Sequence, residues 1–250
     1  MKIEIPVFNI ESAILAAKSG ADRIELCSGL VGGGVTPSKG AIDIARKKID
    51  IPIHVMVRPR EGDFLYSETE IEVMKRDIIY SKQVGIDGVV IGCLTPQGKV
   101  DVDLVNYLCD IAYPMQVTFH RVIDKTVDIF EAAESILSTG CTRILTSGGY
   151  NTVTKGFSNI EKLHNLFGEK IIILPGGGVN VDNYLLFKDI GIKEIHFSAR
   201  HEVDGKMQHR PTEPDFGLAG YFDDYCYTLP KESVIKTILE GVNTKTGNSK

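Results

Sequence analysis

Short β-rich runs recur along the chain, each followed by a stretch whose apolar residues return every three or four positions. Lys2 to Val7 alternates, and Asn9 is placed to cap a helix from Ile10 to Ser19 that carries Ile10, Ile14 and Ala17 on one face. The same reading predicts strands at Ile24–Cys27, Ile53–Arg58, Val89–Gly92, Gln116–His120, Arg143–Thr146, Lys170–Leu174 and Ile195–Ser198. Between them it predicts helices from Ser38 to Lys48, Ser67 to Gly85, Asp101 to Ala112, Asp128 to Ser138, Asn159 to Phe167 and Val181 to Asp189. An irregular stretch from Arg200 to Pro230 is longer than an ordinary loop and reads as a lid; a last helix spans Glu232 to Gly241.

Eight strands, each followed by a helix, predict a TIM-type (β/α)8 barrel with parallel strands inside and helices outside. An open doubly wound sheet is the alternative. No linker marks a boundary, so residues 1–242 are expected to form one domain and residues 243–250 a frayed tail.

One signal repeats four times. Gly20, Gly85, Gly140 and Gly191 each precede a strand by a few residues, leading strands two, four, six and eight. Glycine tolerates a positive φ just past a helix, so each copy predicts a helix stop followed by a strand start.

Side chains alternate along a strand, which assigns the apolar β-branched set to the helices and leaves the others on the barrel axis. The axial set is Glu4; Glu25 and Cys27; His54, Met56 and Arg58; Thr118 and His120; His196 and Ser198. Barrel interiors are usually filled by branched apolar groups, so this set points either to an internal network, with Glu4 and Glu25 answering His54 and Arg58, or to a polar pocket. In the pocket reading Glu25 or His120 is the acid or base, His196 stands at the rim, and Arg58 holds an anion. A second signal comes from the loops after strands six to eight. Ser147, Gly148, Gly177, Gly178 and Arg200 have the chemistry of an anion cradle, which Arg60 would complete from the opposite rim. Met56 reads as core filler.

Net charge of -5 with no basic cluster argues against nucleic acid and leaves a small molecule or a protein as partner. The opening Met1–Pro6 lacks the apolar run of a leader, and no run approaches membrane-spanning length, so a cytoplasmic protein is expected. Five cysteines without a Cys-x-x-Cys predict neither disulfides nor a zinc knuckle.

Gly20-Ala-Asp-Arg-Ile-Glu-Leu-Cys-Ser28, Thr36-Pro37-Ser38, His54-Val-Met-Val-Arg-Pro-Arg60, Thr118-Phe-His-Arg121 with Asp124, Arg143-Ile-Leu-Thr-Ser-Gly-Gly149, Pro175-Gly-Gly-Gly178 and Phe197-Ser-Ala-Arg200 occur in that order. As an ordered set they resemble the CutC copper homeostasis family over nearly the whole chain. The resemblance implies a cytoplasmic, homo-oligomeric TIM barrel that takes part in copper homeostasis and binds copper ion. In some members a cysteine ending strand one joins the cysteine ending strand two as a Cu(I) site. Here the first position is Pro6, leaving Cys27 alone. The alternative function is an enzyme acting on a small phosphorylated or carboxylated substrate at the strand C-termini.

Overall fold

A computed structural model describes residues 1–211, 213 and 223–244. Eight parallel strands, β1 (Lys2–Val7), β2 (Arg23–Leu26), β3 (Ile53–Met56), β4 (Gly88–Ile91), β5 (Gln116–Phe119), β6 (Arg143–Thr146), β7 (Ile172–Pro175) and β8 (Glu194–His196), pair in the order β7-β6-β5-β4-β3-β2-β1-β8. A parallel bridge between Gly176 and His196 joins the two ends, so the sheet closes on itself as the expected barrel.

Helices α1 (Ile10–Lys18), α2 (Lys39–Lys48), α3 (Glu68–Gln83), α4 (Val102–Ala112), α5 (Ile129–Leu137), α6 (Phe157–Phe167), α7 (Tyr184–Asp189) and α8 (Glu232–Asn243) surround it. Several start where the sequence supplies a cap: Asn9, Ser38, Asp101 and Asp128 each accept a first-turn N–H, and Ser67 with Glu70 forms a capping box. Outward strand residues such as Ile3, Ile5, Ile24, Val55, Ile91 and Phe119 are fully buried against helix residues such as Ala13, Met74, Leu108 and Ile136. No helix among the described residues is long and apolar enough to cross a membrane.

The stretch after β8 is more regular than its composition suggests. β9 (Arg200–Asp204) and β10 (Cys226–Pro230) pair antiparallel as a hairpin. Its base is moored beside α1, where the Asn9 amide and the Ser12 hydroxyl both donate to the Thr228 carbonyl. Much of the segment read as a lid, residues 212 and 214–222, lies outside the described residues, as do residues 245–250 of the expected tail; Asn243 belongs to α8. Strand five is one residue shorter than expected, because His120 caps a 3-10 turn at Arg121–Lys125 by accepting the Val122 N–H through its ring nitrogen.

Three of the four repeated glycines are helix stops as predicted: Gly20, Gly85 and Gly191 have φ of 100°, 80° and 84°. Gly140 is the exception and is not among the glycines with positive φ. It is needed for close approach, since a Cβ there would lie 2.8 Å from Cβ of Cys109 on α4.

Two further glycines on β4 and just past it make room for imidazoles. A Cβ at Gly88 would lie 2.5 Å from the His54 ring, and one at Gly92 2.3 Å from that of His120. Gly88→Ala should therefore destabilise by about 1–3 kcal/mol through overpacking. Urea unfolding of Gly88→Ala against Gly88→Ala/His54→Ala checks this; if removing the imidazole recovers none of the loss, steric conflict with His54 is not its cause.

Candidate functional site at the barrel mouth

The axis is polar from the floor upward. Arg23 on β2 donates to Glu4 on β1 and to Glu194 on β8, and Arg143 on β6 donates to Glu194 at 3.3 Å and to Gln116 at 2.9 Å. Both carboxylates that Arg23 and Arg143 answer in this floor, Glu4 and Glu194, are almost wholly buried, as are the two arginines. Glu4 also accepts from His196 Nδ1 at 2.7 Å. Burial alone would raise the Glu4 pKa, but the His196 hydrogen bond and the Arg23 charge outweigh it and hold the carboxyl well below its usual range. The network expected from the sequence is thus present with different partners. Glu4 is answered by Arg23 and His196, whereas His54 meets the Thr118 hydroxyl at 3.4 Å and is kept neutral by burial, its pKa lowered to about 3.

Arg23, Arg143 and Glu194 are the axial residues that sequence reading missed. For two of them the signal was available: Arg23 stands two residues before Glu25 and Glu194 two before His196, each read as inward on the same strand.

One step higher sit Glu25 and His196. Glu25 is 4% exposed, and its Oε1 is buried without a hydrogen-bond partner. Burial raises its pKa; the charge of Glu4 pushes the same way, with His196 opposing. For His196, burial favours the neutral ring, but the Glu4 hydrogen bond and the charges of Glu25 and Glu4 prevail and raise its pKa. Two guanidinium groups therefore face three carboxylates across Arg23, Arg143, Glu4, Glu194 and Glu25, and one proton on the Glu25–His196 pair balances the group.

His120 stands across the axis. Its Nδ1 accepts from the Val122 N–H, which leaves the proton of the neutral ring on Nε2, and that atom is buried with no partner. Burial, reinforced by the Arg58 charge, lowers its pKa to about 3. Phe64 packs edge-on against His120 at 5.2 Å and lies 4.6 Å from the Arg58 guanidinium carbon.

Arg58 and Arg60, expected to hold an anion, are engaged by their own loops. Arg58 donates to the carbonyls of Gly32, Gly34 and Gly62, strapping the loops after β2 and β3 together. Arg60 pairs with Glu70 and Asp63 and donates to the carbonyls of Glu61, Asp63 and Leu65. Arg200 is at the exposed start of β9.

The loop after β6 already cradles an anion, and it is the protein's own. The Asp124 carboxylate accepts the N–H groups of Ser147 and Gly149 and the hydroxyls of Thr146 and Ser147. Gly148, at φ 76°, approaches Gly156 so closely that a Cβ would lie 2.3 Å from its carbonyl oxygen. Arg121, which follows His120 at the rim, is held by Asp124 at 3.1 Å and Ser147 at 2.6 Å. Its guanidinium lies over Gly177, where a Cβ would come within 2.9 Å of Cζ, and its side chain is 41% exposed. It is near enough to His196 to bear on that ring's charge. Gly178, at φ 90°, continues the same loop.

Copper does not suit these residues. Cu(I) prefers thiolates, yet the Cys27 thiol is buried, donates to Glu25 at 3.4 Å, and is pushed well above its usual pKa by burial and by the Glu25 charge. It packs with Met56, Val90 and Phe8 in a small apolar cluster. Among the described residues, donor atoms of Glu4, Glu25 and His196 lie within 4.8 Å of one another, a hard-to-borderline set. Glu4 is already neutralised by Arg23, so the charge there fits a proton better than a multivalent cation.

The family model described as the CutC family matches residues 1–201. The human copper homeostasis protein cutC homolog is 40% identical over 237 residues, covering 94% of this chain and 87% of the human protein. A family protein CutC of Bacteroides fragilis is 38% identical over 243 residues, 96% of this chain and 97% of its own length. The crystal structure of a copper homeostasis protein CutC from Streptococcus agalactiae superposes with a TM-score of 0.74 at 29% identity, covering 78% of this chain and 97% of that one.

The floor and the proton above it have separate signatures. Arg23→Leu leaves Glu4 and Glu194 buried without their guanidinium and should cost about 3–5 kcal/mol. His196, with a raised folded pKa, contributes stability in full below its ordinary 6.5 and loses it as pH rises through the folded value. The stability gap between wild type and His196→Gln, followed by urea unfolding from acid to alkaline pH, should narrow as pH rises; a constant gap would show that the imidazolium is not what stabilises.

Proposed function

The chain belongs to the CutC family, and from that premise we propose that its barrel mouth binds a small anionic metabolite and moves a proton on it through Glu25 and His196. The observation that carries this reading is Glu25 Oε1, a buried carboxylate oxygen with no partner, beside an imidazole that shares its proton balance. A carboxyl whose pKa burial raises, next to a histidine whose pKa is also raised, is placed to give or take a proton. His120 Nε2–H, also buried without a partner, supplies a neutral donor for an oxygen of the substrate. Arg121, fixed by Asp124 and Ser147, anchors the negative group over Gly177 and Gly178. Strand C-termini and the loops after them are where barrels of this architecture place their chemistry.

A second reading, copper homeostasis, rests on the names of the relatives. Cys27 is a poor candidate for it, for the reasons of burial and charge given above. The free cysteines suit a reducing cytoplasm, and assembly as a homo-oligomer belongs to the same proposal.

The test is a panel of hydroxy acids, oxo acids and phosphate monoesters, screened for binding by thermal shift and for solvent deuterium uptake by NMR. Glu25→Gln should keep binding and lose deuterium uptake by about 10²-fold or more. Arg121→Met should weaken binding roughly 10- to 100-fold, the scale of one charge-assisted hydrogen bond. Binding and uptake indifferent to both substitutions, or no ligand in the panel, would remove the proposal.

A further inference from the structure

The soft ligands that the mouth lacks occur together on the flank of the barrel. Cys109 is in the last half of α4 and Cys141 in the connection from α5 to β6, and their sulfurs lie 3.9 Å apart. Neither is in a disulfide. We infer that Cys109 and Cys141 form a two-thiolate site for a soft monovalent metal ion, Cu(I), separate from the barrel mouth.

The separation is right for one bridging ion. Bonds from thiolate to a first-row d¹⁰ ion run about 2.3 Å, so two sulfurs sharing an ion stand no more than about 4.6 Å apart. At 3.9 Å the pair can admit the ion by a small rotation of either side chain. A disulfide, by contrast, needs sulfurs at about 2.05 Å.

The chain enforces this proximity. Gly140, the one repeated glycine that is not a helix stop, lets the backbone before Cys141 pass against Cys109; a Cβ there would lie 2.8 Å from Cys109 Cβ and 3.4 Å from its sulfur. The Cys141 N–H is tied to Thr139 Oγ1 at 3.3 Å, which fixes the turn carrying the second thiol. Cys109 is buried, whereas Cys141 is partly exposed and gives the ion a way in.

The donor count selects the ion. Zinc takes four ligands in a structural site, and among the described residues no group of three His, Cys, Asp or Glu donors gathers here. Two thiolates satisfy a soft d¹⁰ monocation. Binding releases one proton from each thiol and leaves a complex of net charge minus one.

This site stands independently of the proton-transfer reading, and one experiment separates them. The full chain, reduced and held without oxygen, is titrated with Cu(I) against a chromophoric Cu(I) chelator, and sulfur coordination is counted by X-ray absorption. Wild type and Cys27→Ala should each retain one Cu(I) with two sulfur neighbours. Cys141→Ser and Cys109→Ala should each lose affinity by at least about tenfold, with metal-free melting curves checking that both fold. Cys141 is partly exposed, so its variant is the decisive one. Retention unchanged in Cys141→Ser, loss in Cys27→Ala, or no Cu(I) held by the wild type would each overturn the assignment. Glu25→Gln should bind Cu(I) like wild type, so a failed metal titration says nothing against the mouth.

Discussion

Buried charge must close to near neutrality, and on this barrel's axis that constraint governs what lies above it. Glu4, Glu194, Arg23 and Arg143 sit where other barrels stack branched apolar side chains. A buried ion network of this kind adds little net stability over a hydrophobic filling, but removing one member strands a charge, so the members are fixed as a set. Glu25 enters as one carboxylate more than the guanidinium groups can answer. The proton that restores the balance falls to Glu25 and His196, whose pKa values are both raised.

The architecture was largely legible in the sequence, since strand and helix periods, caps and helix-stop glycines all pointed to one barrel. The site was legible in part. Alternation placed Glu4, Glu25, His54, His120 and His196 on the axis correctly, because side-chain direction in a strand is a local property. Pairing is not local, and alternation does not reveal it. Arg58 turned to three loop carbonyls within reach of its guanidinium, and Arg60 to its own loop and Glu70. The glycine loop after β6 had the composition of an anion cradle and is one; its anion is Asp124, more than twenty residues earlier in the chain. No spacing rule reveals that a site is filled from within. The β9–β10 hairpin was missed for a related reason: β9 is mostly exposed and β10 mostly half-buried, so neither carries a clear period-two apolar pattern.

The same charges sort hard from soft chemistry. A thiol among carboxylates keeps its proton, so Cys27 beside Glu25 is a weak soft-metal ligand however well placed it looks. Proton transfer benefits from that environment and thiolate ligation does not. Relatives named for copper and the proton transfer proposed at the mouth would be compatible if metal and metabolite used different parts of the barrel, and the proposed thiol pair at the α4 flank would satisfy that condition.

The fourfold glycine signal carries more than helix stops. Three residues after Gly20, Gly85, Gly140 and Gly191 come Arg23, Gly88, Arg143 and Glu194, the first inward positions of strands two, four, six and eight. Barrel interiors are layered, with each layer drawn from alternate strands. The repeat therefore marks one physical layer, the floor on which the charged network stands. Its members are two guanidinium groups, one carboxylate and one absent side chain, and the gap at Gly88 is taken by the His54 ring reaching down from the layer of Glu4 and Thr118. The residue before each floor position also has a job in two of the copies, where Asp22 accepts the Ile3 N–H and Asp87 the Ile53 N–H of the neighbouring strand. A period of two βα units thus follows from the geometry of a closed eight-stranded barrel, and a history of duplication is not required to explain it.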